Sequence, residues 1–173
     1  MQFRRKRIRL PESRYLGRQI YFVTLCSEKR HPVFAKEAVG HWLATRLLGM
    51  ATRERFIIHA YCIMPDHLHV LLEGSQETCD LIRFVSSFKQ ETGFTYQKRF
   101  GRRLWQPKYY DHILRKAEET EAVAWYIWLN PVRRGLCSSP QDYPLSGSLT
   151  IDWRNRCGST RSWSPPWKRS AAL

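Results

Sequence analysis

The stretch "FIIHAYCIMPDHLHVLLE", residues 56–73, contains two apolar runs separated by Pro65 and Asp66, residue types that suit a tight turn. The runs, Phe56 to Met64 and His67 to Glu73, are rich in branched and aromatic side chains and read as the two strands of a hairpin. Side chains alternate across a strand, so Leu68, Val70 and Leu72 share the face suited to a core, while His67, His69, Leu71 and Glu73 share the other. The histidine face can therefore look toward a site, although paired strand histidines taken alone are often just half-buried surface.

Working outward, "IYFVTLC" (Ile20 to Cys26) has the signature of a buried strand. Between Glu37 and Arg53, Val39, Leu43, Leu47 and Met50 recur at helical steps and predict a first helix. Leu81, Ile82, Val85 and Phe88 open a second, running to about Arg99. After the loop "GRR", a further strand is expected through "LWQPKYYDHILR", with Pro107 marking an edge or a bulge. A third helix is expected from about Ala117 to Asn130, ending there because Pro131 cannot continue the ladder and disfavours the α region before it.

The order β-α-β-β-α-β plus an extra helix predicts an α+β fold of the ferredoxin-like split βαβ type. Its four-stranded antiparallel sheet would carry two packing helices, with the additional helix toward the C-terminus. At 173 residues the chain suits one domain. We assign residues 1–18 to a basic arm, 19–148 to the folded domain, and 149–173 to an Arg/Trp-rich tail expected to be poorly structured.

Lys and Arg total 29 against 15 Asp and Glu, a formal charge of +14. Such a field attracts polyanions, with nucleic acid first among them. No stretch of apolar residues is long enough to span a bilayer, which argues against a membrane partner. The five cysteines are scattered without a C-x-x-C pair and read as reduced thiols. With no secretory signal visible, a cytoplasmic, nucleoid-associated location is expected. Arg4, Arg5, Lys6 and Arg7 in the arm and Lys89 on the second helix are candidate phosphate contacts, with Trp105, Trp153 and Trp163 available to stack on unpaired bases.

His67 and His69 can hold one divalent ion if a third donor joins them. On the third helix, Tyr126 and Asn130 are four apart and project to the same side, one offering a hydroxyl and the other an amide oxygen. The same spacing also fits an ordinary packed stripe through Val123, Tyr126, Ile127 and Asn130. Asp66 is assigned only to the shape of the turn, and Tyr109 and Tyr110 rank below Tyr126 because they lack an amide one turn away.

Taken together, "YFVTLC", "HAYCIMPDHLHVLLE", "SSFKQ", "WQPKYYDHILR", "YIWLNPVRRGL" and "DYPLSGS", in this order over about Tyr15 to Ser148, resemble the HUH single-tyrosine transposases, most closely their REP-associated branch. The resemblance implies that Tyr126 is the nucleophile on a catalytic helix and that His67, His69 and Asn130 bind the metal, Mg²⁺ or Mn²⁺. It implies nicking and strand transfer on single-stranded or hairpin DNA through a covalent 5′-phosphotyrosine; the protein is expected to be a monomer or a homodimer, which the sequence does not decide between. The Asn at position 130 favours the REP-associated branch, since the insertion-sequence branch resembles this arrangement with glutamine there. Two other readings compete: a non-catalytic single-stranded nucleic-acid-binding module on the same sheet, and a metal nuclease that uses water.

Overall fold

The computed structural model describes residues 11–115, 118–156 and 163–165. Five strands, β1 (Ile20–Cys26), β2 (Phe56–Met64), β3 (His67–Gly74), β4 (Tyr110–Ile113) and β5 (Ser146–Gly147), form one antiparallel sheet in the order β4-β1-β3-β2-β5. Helices α1 (Glu37–Arg53) and α2 (Leu81–Phe100) connect β1 to β2 and β3 to β4. The first four strands and these two helices reproduce the expected split βαβ order. The sheet has one more strand than expected, because two-residue β5 pairs with Tyr61 and Cys62 and is too short to show a period of two in sequence.

The sheet separates two apolar cores. On one face, Tyr21, Val23, Leu25, Ile58, Leu68, Val70 and Leu72 pack against Leu43 and Leu47 of α1 and Phe84, Val85 and Phe88 of α2. On the other, Phe22, Ala60, Cys62, Met64 and Leu71 pack under α3 (Thr120–Trp128). In strand β2 the parity that faces each core switches where the register shifts between Ile58 and Ala60, a β-bulge at His59. Before the bulge Phe56 and Ile58 face α1 and α2; after it Ala60, Cys62 and Met64 face α3.

Local signals explain several boundaries. The Asp80 carboxylate accepts from Arg83 N at 3.0 Å and caps α2, which ends at Gly101 in the left-handed region (φ +69°). The third helix stops at Trp128, earlier than expected, and a short α4 (Asn130–Arg133) follows with Pro131 in its first turn. Pro131 has no N–H to give the Ile127 carbonyl one turn back. The Asn130 side-chain amide supplies one instead, donating to Ile127 O at 3.1 Å and to Tyr126 O at 3.0 Å.

Strand β4 is also shorter than the run "LWQPKYYDHILR" suggests. Its first half is held by other means: Trp105 makes an isolated bridge to Ser27, and Lys89 Nζ donates to the carbonyls of Gln106 and Pro107, each at 2.8 Å. Trp153 and Trp163, from the segment expected to be poorly structured, are buried against the second core. Large aromatic surfaces gain most from leaving water, which draws these two rings inward. Among the described residues no helix is long and apolar enough to cross a membrane.

Candidate active site

Strand β3 lies between β1 and β2, and its alternation sets His67 and His69 on the face covered by α3. Both imidazoles are buried, 6% exposed each. Their Nε2 atoms converge to 3.0 Å, with ring centroids 4.5 Å apart and the planes nearly perpendicular. The outer nitrogens are held as well: His67 Nδ1 lies 2.5 Å from Asp66 Oδ1, and His69 Nδ1 lies 2.8 Å from Thr24 Oγ1 on β1. Burial lowers the His67 pKa from its ordinary value, opposed by the hydrogen bond and charge of Asp66. That shift favours the neutral imidazole, the form that ligates a metal.

Tyr126, in the last turns of α3, is 9% exposed. Its ring meets Phe22 edge-on, with centroids 6.2 Å apart, and Phe22 in turn stacks on His69 at 5.4 Å. Phe22 therefore joins the histidine strand to the tyrosine helix. Trp163 stands edge-on against Tyr126 at 5.0 Å, anchored by its indole N–H donating to Glu118 Oε1 at 2.8 Å. The Arg133 guanidinium lies over the Tyr126 ring, 4.4 Å from its centroid, and donates to Tyr126 O. Tyr110, also beside Phe22, has its phenol pushed up to about 12, chiefly by burial, which makes it a poorer source of phenolate at neutral pH.

The donor set fits a divalent ion. Two ring nitrogens 3.0 Å apart have the spacing of adjacent ligands on one ion, whose metal–nitrogen bonds are roughly 2.1 Å long. Among the described residues no three His, Cys, Asp or Glu side chains gather into a metal site, so a third protein donor has to be of another type. In Asn130 the amide nitrogen is committed to helix carbonyls, which leaves Oδ1 as the end able to take a ligand.

The other candidates fall elsewhere. Trp105 is buried in the first core, its indole N–H donating to Thr92 Oγ1 at 2.8 Å. Trp153 stacks on Trp128 at 4.6 Å, and Lys89 ties α2 to the segment before β4. Arg4, Arg5, Lys6 and Arg7 lie outside the described residues. Sequence reasoning missed Phe22, Thr24 and Arg133 and gave Asp66 only a turn. Arg133 had a readable signal, since it follows Tyr126 by two helical turns; Thr24 and Phe22 meet the site only through strand pairing.

A family model described as "Transposase IS200 like" matches residues 17–130. A curated REP-associated tyrosine transposase of Escherichia coli (strain K12) is 29% identical over 109 residues, 57% of this chain and 62% of that protein. The match thus spans less than two thirds of the E. coli protein's length. A second relative, from Haemophilus influenzae, is 24% identical over 142 residues, 73% of this chain and 78% of that protein. Among solved structures, one described as a REP-associated tyrosine transposase bound to a REP hairpin superposes with a TM-score of 0.63. It covers 84% of this chain and 81% of its own at 20% identity, a likeness of fold.

Proposed function

The chain belongs to the IS200-like transposase family, and on that premise we propose that it nicks and rejoins single-stranded DNA with Tyr126 as nucleophile. The observation that carries this reading is the meeting of the histidine pair and the α3 tyrosine on one sheet face, joined through Phe22. The substrate is palindromic hairpin DNA of the REP type, a reading supported by the description of the structural neighbour and by the charge of +14.

In the forward step the Tyr126 oxygen attacks phosphorus and the bond to the 3′ oxygen breaks. The phenol proton is finally carried by the departing 3′-hydroxyl, leaving a 5′-phosphotyrosine. Attack by another 3′-hydroxyl reverses the sequence and seals a new junction, so the bond energy is conserved and no external energy source is required. His67, His69 and Asn130 Oδ1 would hold the Mg²⁺ or Mn²⁺ ion that family membership supports. When bound, that ion supplies Lewis-acid stabilisation of charge on the scissile phosphate.

The protein's own groups do the remaining work. Phe22 and Trp163, themselves in contact at 5.5 Å, both pack edge-on with the Tyr126 ring, and Arg133 places a positive charge over it. The deciding experiment is incubation with single-stranded hairpin DNA and Mn²⁺, followed by denaturing electrophoresis. A protein–DNA adduct that vanishes in Tyr126→Phe is expected; cleavage with no adduct would replace this reading by a water-using nuclease.

A further inference from the structure

We propose that Asp66 and Thr24 are positioning residues that set the imidazole tautomers of His67 and His69, so that both Nε2 lone pairs become available to one metal ion. The inference rests on the metal-binding reading given above.

The hydrogen-bond chain has a readable direction. A carboxylate only accepts, so at 2.5 Å from Asp66 Oδ1 the His67 Nδ1 carries the proton, and Nε2 of the neutral ring is a bare lone pair. The two Nε2 atoms lie at hydrogen-bond distance, 3.0 Å, and since His67 Nε2 accepts, His69 Nε2 donates. His69 Nδ1 then accepts from the Thr24 hydroxyl at 2.8 Å.

To ligate, His69 must carry its proton on Nδ1 instead. Thr24 Oγ1 accommodates this by turning from donor to acceptor, because a hydroxyl can do either. Thr24 is the direct cross-strand partner of His69, so the sheet itself keeps the two in reach.

Asp66 is held more firmly than a turn residue requires. Its carbonyl accepts from Ser27 N and Ser27 Oγ, each at 2.9 Å, and its second carboxylate oxygen pairs with Arg30 at 3.3 Å. Arg30 reaches it from a backbone in the left-handed region (φ +58°), next to Lys29 in the same region (φ +51°). Two consecutive non-glycine residues there are costly, and such strain persists where surrounding contacts enforce it. Hydrogen-bond partners of this kind around ligating histidines typically contribute 10–100-fold to metal affinity.

The test uses the full chain without DNA. Mn²⁺ affinity is measured by electron paramagnetic resonance of the free ion, and tautomers by long-range ¹H–¹⁵N correlation of the imidazoles. In the wild type His67 should show a protonated Nδ1 and a bare Nε2. Asp66→Ala should weaken Mn²⁺ binding about 10–100-fold and raise the fraction of Nε2–H tautomer at His67, while Asp66→Asn, which keeps an acceptor, restores much of both. Thr24→Val should weaken binding and Thr24→Ser should recover it, with ¹H–¹⁵N spectra of each variant confirming the fold. Unchanged Mn²⁺ affinity in folded Asp66→Ala, or wild-type His67 protonated on Nε2, overturns the proposal. Undiminished Mn²⁺ binding in His67→Ala/His69→Ala overturns instead the metal reading on which it rests.

Discussion

Phe22 and Tyr126 meet edge to face, their ring centroids 6.2 Å apart and their planes at 72°. Phe22 comes from the first strand and Tyr126 from a helix more than a hundred residues later, so this contact sets how the proposed nucleophile sits relative to the histidines. Phe22→Leu removes the aromatic surface while keeping an apolar side chain. It should leave Mn²⁺ binding nearly unchanged and slow cleavage of hairpin DNA by roughly 100-fold, the scale of a misplaced reacting group. Single-turnover rates alongside Mn²⁺ titration check this; equal rates would remove Phe22 from the positioning of Tyr126.

Tyr126→Phe deletes one hydroxyl and retains the ring on which Phe22, Trp163 and Arg133 pack. The variant should fold, bind hairpin DNA with wild-type affinity and form neither nick nor adduct. Should the adduct survive, Tyr109 and Tyr110 become the residues to substitute next.

His67→Ala and His69→Ala should each abolish cleavage yet keep most of the affinity for hairpin DNA, because an ion held by these residues would act on the reacting phosphate and not on the wider basic surface. EDTA should reproduce the effect in the wild type, and added Mn²⁺ should reverse it. Full activity in EDTA would end the metal assignment.

Leu71 and Leu72 are neighbours in sequence, both fully buried, yet they belong to different cores. Either substitution by Ala should cost about 2–5 kcal/mol of stability. Only Leu71→Ala should alter the environment of Tyr126, read as a change in cleavage rate under conditions where both variants remain folded.

The Cys62 thiol is fully buried under α3, and burial pushes its pKa up to about 12. At pH 8 it is therefore protonated, and thiolate is the reactive form. Iodoacetamide should leave Cys62 unmodified in the native protein and label it fully in denaturant, as peptide mass mapping would show. Native labelling at Cys62 would mean that α3 lifts from the sheet.

The hairpin and first two helices were legible in sequence because each rests on local periodicity: alternation in residues 67–73, and helical steps from Val39 to Met50. His67, His69, Tyr126 and Asn130 could be singled out because their side-chain chemistry is unusual for their element. Phe22 and Thr24 look like ordinary strand residues, and their roles come from pairing with a strand some 45 residues later, which no local window reports. The early end of α3 was hidden for a different reason. Pro131 announces a break, but the repair of that break by the Asn130 amide depends on a rotamer.

The bulge at His59 makes the second half of β2 a matter of parity. With one residue fewer, Ala60, Cys62 and Met64 would exchange faces with Tyr61 and Ile63, and the bed under α3 would be lined by the wrong set of side chains. The extra residue thus acts as a frame setting: it hands the even-numbered positions of one continuous strand from the scaffold core to the core that seats Tyr126. Deleting His59 removes a residue whose ring faces Glu73 and Thr150 and not Tyr126, yet it would disassemble the seat of Tyr126 from a position outside the proposed site.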